Sequence, residues 1–164
     1  ICGFHSQEND MLRTRIVSSP VGVLELTADD RALVSLRFSR EAQHESHEPH
    51  PILDRAEREL DEYFRGVRRR FSVPLAPQGT PFQKRVWQAL LAIPCGKTKS
   101  YGEIARAIGR PRACRAVGAA NGQNPLAVIV PCHRVIGADK TLTGYGGGLA
   151  RKRWLLDHEG VAVD

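Results

Sequence analysis

The hydrophobic pattern changes period once along the chain, near residue 50, and that change restricts the fold more than any single motif. Between Leu12 and Phe38, apolar and polar residues alternate in short runs: Arg15-Ile16-Val17, Val23-Leu24-Glu25-Leu26 and Ala32-Leu33-Val34-Ser35-Leu36. Ser18-Ser19-Pro20-Val21-Gly22 and Asp29-Asp30 punctuate them, so the segment reads as a small antiparallel meander. After it the period is helical: Ile52, Leu53, Ala56, Leu60, Tyr63 and Phe64 predict a helix over residues 52–65, ending near Gly66 and packed on the sheet. Strands followed by helices make an α+β fold, with a small antiparallel sheet and helix in residues 11–77 and a mainly helical part in residues 78–164. Arg68-Arg69-Arg70 and the stretch from Pro74 to Gly79 read as the linker between them.

The second part opens with Thr80-Pro81-Phe82-Gln83, a capping box with proline at the first helical position, and Phe82, Val86 and Leu90 continue it on one face until Pro94. Residues 101–108 form a short helix led by Ser100 as N-cap, Gly109-Arg110-Pro111 turns the chain, and residues 112–120 form a second helix rich in alanine and glycine. This is the layout of a helix-turn-helix, and equally of a plain helical hairpin. Ala113, Ala116, Gly118, Ala119 and Ala120 stand where a major-groove reader carries Asn, Gln or Arg. Flanked by Arg112 and Arg115, such a helix suits close approach to a narrow minor groove.

Charge follows the same division. Residues 1–77 carry 11 Lys/Arg against 13 Asp/Glu, and residues 78–164 carry 13 against 5, so the net charge of +6 is concentrated in the second half. A polyanion is the partner such a surface suits, and a solvated basic face is the alternative. No run approaches the roughly 18 apolar residues of a membrane span, and the first ten residues lack the layout of a secretory leader. Cys2, Cys95, Cys114 and Cys132 form no Cys-x-x-Cys pair, which suits a reducing compartment, and a cytoplasmic location is expected. Met11-Leu12-Arg13 reads as a natural start, leaving residues 1–10 as an added or upstream leader outside the fold. His44, His47 and His50 recur at three-residue intervals in a polar loop, where Pro49 and Pro51 break any helix able to align them on a metal.

One thiol stands out. Cys132 lies between Pro131 and His133 at the end of the apolar run Ala127-Val128-Ile129-Val130. A cysteine there is either a nucleophile activated by its neighbours or a packed core residue, and the local sequence alone does not choose. Adjacent side chains of an extended strand point to opposite faces, so Cys132 and His133 cooperate only if the chain turns there or a water bridges them. Asn124-Pro125 supplies an amide able to brace such a turn. Gly144-Tyr145-Gly146-Gly147-Gly148 lacks the register of a phosphate cradle and fits a loop that walls a flat ligand with Tyr145. Cys95 and Cys114 have no adjacent base and read as structural.

With these residues in place, the chain resembles the O6-alkylguanine-DNA alkyltransferases, closely over residues 79–164 and more loosely before. Ile129-Val130-Pro131-Cys132-His133-Arg134-Val135 stands as the family's active-site signature. Ser100-Tyr101-Gly102-Glu103-Ile104-Ala105, Arg115-Ala116-Val117-Gly118, Asn121-Gly122-Gln123-Asn124-Pro125, Thr143 to Gly148 and Leu155-Leu156-Asp157-His158-Glu159 follow the family's order and spacing. The resemblance implies a ribonuclease-H-like N-terminal part and a helix-turn-helix that enters the minor groove of duplex DNA and flips the damaged nucleotide. It implies Cys132 as alkyl acceptor, His133 as its base through a water, Glu159 orienting the imidazole, Asn124 bracing the turn, and Tyr101 hydrogen-bonding the departing guanine. Arg115 would fill the space of the flipped nucleotide, Arg112, Ala116, Gly118, Asn121 and Ser100 would contact DNA, and Tyr145, Gly146, Gly147 and Val135 would wall the pocket.

The product of such a transfer is a thioether, which water does not readily cleave, so each molecule acts once. No cofactor is implied, and the lack of cysteine in residues 11–77 predicts no zinc, although some relatives hold one in that part. The expected partner is double-stranded DNA bearing O6-alkylguanine, bound by a monomer. Activity on O4-alkylthymine and cooperative assembly on DNA stay open. A non-enzymatic alkyltransferase-like lesion binder is the alternative, and Cys132 argues against it. An unrelated cysteine hydrolase would leave the basic half and Arg115 unexplained.

Overall fold

The alternating segment folds into β1 (Arg13–Ser19), β2 (Gly22–Ala28) and β3 (Leu33–Phe38), an antiparallel sheet of order β1-β2-β3. These and all following coordinates come from a computed structural model, which describes residues 11–39 and 48–163. Two turns set the register. Ser19 pairs with Gly22 across a two-residue loop, and Gly22 takes φ +109°, a conformation that glycine enters without a Cβ penalty. At the second turn the Asp29 carboxylate accepts from the backbone N–H groups of Arg31 and Ala32 at 2.7 and 2.8 Å.

Leu24 and Leu26 of β2 and Leu33 and Leu36 of β3 are buried together with Leu53, Ala56, Leu60 and Tyr63 of α1 (Pro51–Phe64), the four helical positions that the 3.6-residue period places on one side. His50 caps this helix, its Nδ1 accepting from the Leu53 N–H at 3.2 Å. His44, His47 and residues 1–10 lie outside the described residues.

The linker is held more firmly than its composition suggests, because β3 has an open edge whose backbone groups need partners. The Leu33 N–H donates to the Pro74 carbonyl at 2.8 Å and the Leu33 carbonyl accepts from the Ala76 N–H at 2.9 Å. Farther along the same edge, the Leu36 N–H donates to the Pro125 carbonyl at 2.8 Å and its carbonyl accepts from the Ala127 N–H at 3.1 Å. The edge of the first sheet therefore carries both the linker and a segment from the second half.

Helices α2 (Pro81–Leu91), capped by Thr80, and α3 (Tyr101–Ala107), capped by Ser100, both start with the reciprocal capping box seen in the sequence. Helix α4 (Cys114–Gly122) starts and ends two residues later than the composition predicts, since Arg110 to Ala113 close a turn (Ala113 N–H to the Arg110 carbonyl, 2.9 Å) before helical bonding begins. A short parallel pair, β4 (Lys99–Ser100) and β5 (Val135–Ile136), and a last helix, α5 (Leu149–His158), complete the fold. One continuous apolar core runs from the sheet through α1, α2, α3 and α4 to Leu155 of α5. Among the described residues, no helix is long and apolar enough to cross a membrane.

Glu59 shows how α1 holds the linker. Its buried carboxylate accepts from the backbone N–H groups of Ser72 and Val73 at 2.6 and 3.1 Å and from Arg55 Nε at 3.0 Å. Burial pushes its pKa up, and these bonds outweigh burial, so the carboxyl sits below the usual glutamate value of 4.5. A group so depressed contributes stability above its unfolded pKa and loses it as pH falls through the folded one. Glu59→Gln is expected to lower unfolding free energy by about 1–3 kcal/mol at pH 7 in urea titrations. The gap to the parent chain should shrink once pH drops below 4.5.

Candidate active site

Between α4 and Cys132 the chain makes two tight turns in place of a strand. The Ile129 N–H bonds the Ala127 carbonyl at 2.8 Å around Val128, whose φ of +70° is strained for a β-branched residue. The Cys132 N–H bonds the Val130 carbonyl at 2.8 Å around Pro131, at φ −82° and ψ 63°. A single 3₁₀ turn, Cys132–Arg134, follows. The chain thus turns where the sequence requires it to if Cys132 and His133 are to share a site.

Asn124 clamps these turns. Its Oδ1 accepts from the Leu126 N–H at 2.9 Å, and its Nδ2 donates to the Val130 carbonyl at 2.8 Å and to Cys132 Sγ at 3.1 Å. Pairing of Leu36 with residues 125–127 fixes the other side of the loop to β3. The strain at Val128, of the order of 1–3 kcal/mol for such a conformation, is held in place by bonds from both halves.

Cys132 is buried and so is His133, with Nε2 of the imidazole 2.7 Å from Oε2 of Glu159. Arg134 donates to Glu159 twice, from Nε to Oε1 at 2.7 Å and from Nη2 to Oε2 at 3.1 Å, and Nη1 donates to the Ile93 carbonyl at 2.6 Å. The Tyr63 hydroxyl donates to Oε2 at 2.6 Å. Burial alone would raise the Glu159 pKa, but the His133 and Arg134 bonds outweigh it and hold the carboxyl ionised. An ionised carboxylate only accepts, so His133 carries its proton on Nε2, leaving Nδ1 unprotonated and without a partner among the described residues.

Burial also pushes the Cys132 thiol up, against the Asn124 donor and the nearby Lys152 charge, and pushes the His133 pKa down in spite of Glu159. At neutral pH the resting pair is therefore a thiol and a neutral imidazole, and a base is needed to make the thiolate. Lys152 is fully buried, donates to the carbonyls of Val135 and Thr143 at 2.6 and 3.0 Å, and has its pKa lowered to about 8 by burial.

Cys132 opens into a cavity of about 210 Å³ walled by Asn121, Asn124, Tyr145, Gly146 and Gly147, and by Leu36, Arg37 and Phe38 from β3. Gly147 is required by close approach, since a Cβ there would stand 2.6 Å from the Phe38 ring. Val135, expected on the pocket wall, does not reach it: it is fully buried in β5, paired with Lys99, with its carbonyl bound by Lys152. Tyr101 is not among the residues that line the cavity, and its hydroxyl is bonded to Thr143 Oγ1 at 2.8 Å.

Asn121 is buried at the end of α4 and faces the cavity, whereas Arg112, Arg115 and Ala116 are exposed and Gly118 packs near the Tyr101 ring. Ser100 serves as the α3 cap. Cys114, read as structural, is exposed at the start of α4, and Cys95 is half-buried with its thiol pushed up by burial.

Sequence reasoning assigned no role to Arg134, Tyr63, Lys152 or Phe38. Arg134 lay inside the signature, so its position beside the pair was a usable signal. Tyr63 reads as one more apolar position of the helical period, and nothing in the sequence around Lys152 marks it as buried.

Residues 12–77 match the 6-O-methylguanine DNA methyltransferase ribonuclease-like domain, and residues 81–161 match the DNA binding domain of the same family. A methylated-DNA–protein-cysteine methyltransferase of Mycobacterium tuberculosis is 51% identical over 153 residues, covering 91% of this chain and 93% of that protein. One from Methanosarcina acetivorans is 49% identical over 150 residues, covering 88% and 96%. Among solved structures, the Mycobacterium tuberculosis O6-methylguanine methyltransferase superposes with a TM-score of 0.82 at 49% identity, covering 91% of this chain and 93% of that one. The enzyme from that organism in complex with DNA gives 0.81 at 51% identity, covering 90% and 92%.

The clamp predicts a paired effect for Asn124→Ala. Thermal or urea unfolding should show a loss of about 1–3 kcal/mol, from the Leu126 N–H left without its Asn124 acceptor and the Val130 carbonyl left with the Cys132 N–H and no amide donor. The pH midpoint for iodoacetamide labelling of Cys132, followed by peptide mass, should rise because a donor that favours the thiolate is gone.

Proposed function

Because the chain belongs to the 6-O-methylguanine DNA methyltransferase family, we propose that Cys132 is the residue that receives the alkyl group, from O6-alkylguanine flipped out of duplex DNA into the cavity beside it. The chain is a DNA-repair methyltransferase that binds DNA and moves an alkyl group onto one of its own cysteines. The observation that carries the residue assignment is the run Cys132, His133, Glu159, in which a buried thiol opens on a base-sized cavity beside a neutral imidazole whose other nitrogen is fixed by an ionised carboxylate.

The chemistry follows from these parts. His133 Nδ1 takes the Cys132 proton through a water, and Glu159 stabilises the imidazolium that results. The thiolate attacks the alkyl carbon, a C–S bond forms, and the C–O bond to guanine breaks. Negative charge gathers on the departing base, where Tyr101, after exchanging its bond with Thr143, donates a hydrogen bond. Asn124 holds the sulfur in line. Extrusion of the nucleotide costs a few kcal/mol, least for a poorly paired lesion, and Arg115 on the exposed side of α4 occupies the space left in the duplex.

Arg112, Ala116 and the basic second half support contact with the minor groove and its phosphates. The thioether has no ready route back to thiol, so the monomer is consumed by one transfer.

Incubation with a duplex holding one O6-methylguanine should raise the intact mass by one methylene, mapped to Cys132, with no more than one transfer per chain. Cys132→Ala should show none. Transfer to another residue, or repeated turnover, would reject the assignment.

A further inference from the structure

We propose that Tyr63, supplied by α1 of the N-terminal half, is a positioning residue of the transfer reaction: by occupying Glu159 Oε2 it sets how tightly Glu159 binds the His133 imidazole and so how readily His133 takes the thiol proton. The inference rests on the reading of His133 as base. Its starting point is that Oε2 is crowded, with the Tyr63 hydroxyl at 2.6 Å, His133 Nε2 at 2.7 Å and Arg134 Nη2 at 3.1 Å, while Oε1 receives Arg134 Nε. A carboxylate has about four lone-pair directions in all, so the phenol and the imidazole compete for the same oxygen. The stronger the phenol's bond, the less charge remains to stabilise an imidazolium.

Packing alone does not account for the hydroxyl. Tyr63 is 1% exposed, and its ring is fixed by Phe64, Phe71 and His158 with centroids 5.1 to 5.4 Å away, contacts that a phenylalanine would make equally. A buried hydroxyl must find a partner, and this one reaches across 96 residues of sequence to the carboxylate behind His133. It stays a neutral donor, since burial and the Glu159 charge push its pKa above the ordinary tyrosine value. The other charged or titratable groups around the His133–Glu159 pair are Arg134 and Cys132 on the 3₁₀ turn, Lys152 on α5, Cys95 after α2 and Tyr145 in the glycine loop. Of these, Arg134 and Cys95 also lie within electrostatic reach of the Tyr63 phenol, and Arg134 shares Oε2 with it.

The test is the pH dependence of the single-turnover rate on an O6-methylguanine duplex. In Tyr63→Phe the released lone pair goes to His133, so the acid limb of the profile should move up by about one pH unit, a tenfold change in the proton dissociation constant, with duplex affinity unchanged. Site-specific 3-fluorotyrosine at position 63, a stronger donor of the same shape, should move the limb down. Phe64→Leu, which thins the same aromatic cluster without touching Glu159, should keep the parent profile. Superimposable profiles for the Tyr63 variants, or an equal shift in Phe64→Leu, would overturn the inference and reduce Tyr63 to packing. A parent chain that transfers nothing would instead sink the assignment of Cys132 and His133.

Discussion

Glu159 carries a negative charge at a position where its side chain has no solvent exposure, and the arrangement of the second half follows from the need to compensate it. An uncompensated buried charge costs several kcal/mol, so the carboxylate is tolerated only with its acceptor sites filled. Arg134 fills two, His133 one and Tyr63 one. Those donors come from the 3₁₀ turn and from α1, and Arg134 extends the network to the Ile93 carbonyl after α2. Satisfying one charge thus fixes the end of α5, the 3₁₀ turn that carries Cys132 and His133, and the N-terminal helix relative to one another.

Burial has a second consequence at the reacting atoms. It keeps the Cys132 thiol protonated and the His133 imidazole neutral, so the proposed reaction depends on proton transfer within the pair and not on a free thiolate. The N-terminal sheet takes part in this. Its β3 edge binds the strained loop through Leu36, and Phe38 stacks under Arg151, 4.6 Å from the guanidinium carbon, while closing the glycine loop beside the cavity. The division into a sheet half and a DNA-facing half holds for composition and charge, whereas the pocket belongs to both.

Much of this was legible in the sequence, for identifiable reasons. Strand alternation over residues 12–38, the period of α1, and the Thr80 and Ser100 caps are local signals with local causes, and each element formed where they placed it. That Cys132, Asn124 and Tyr145 share one cavity, with His133 next to Cys132 on the same turn, was readable because these residues sit in short, ordered motifs. What escaped depends on distant contacts. Helix α5 hides behind Arg151-Lys152-Arg153, since a buried lysine whose partners are the carbonyls of Val135 and Thr143 looks solvated in one dimension. Val135, the last residue of the signature, was assigned to the pocket, yet pairing in β5 places it in the core. The tyrosine of α1 reads as packing until Glu159 is seen at its hydroxyl.

The central claim is that the Glu159 charge makes His133 a base for Cys132, and Glu159→Gln tests it most directly. The single-turnover rate of methyl transfer from an O6-methylguanine duplex at pH 7 should fall by at least about 100-fold in the folded variant, the lower end of what a positioned base contributes. Transfer at the parent rate would contradict the claim.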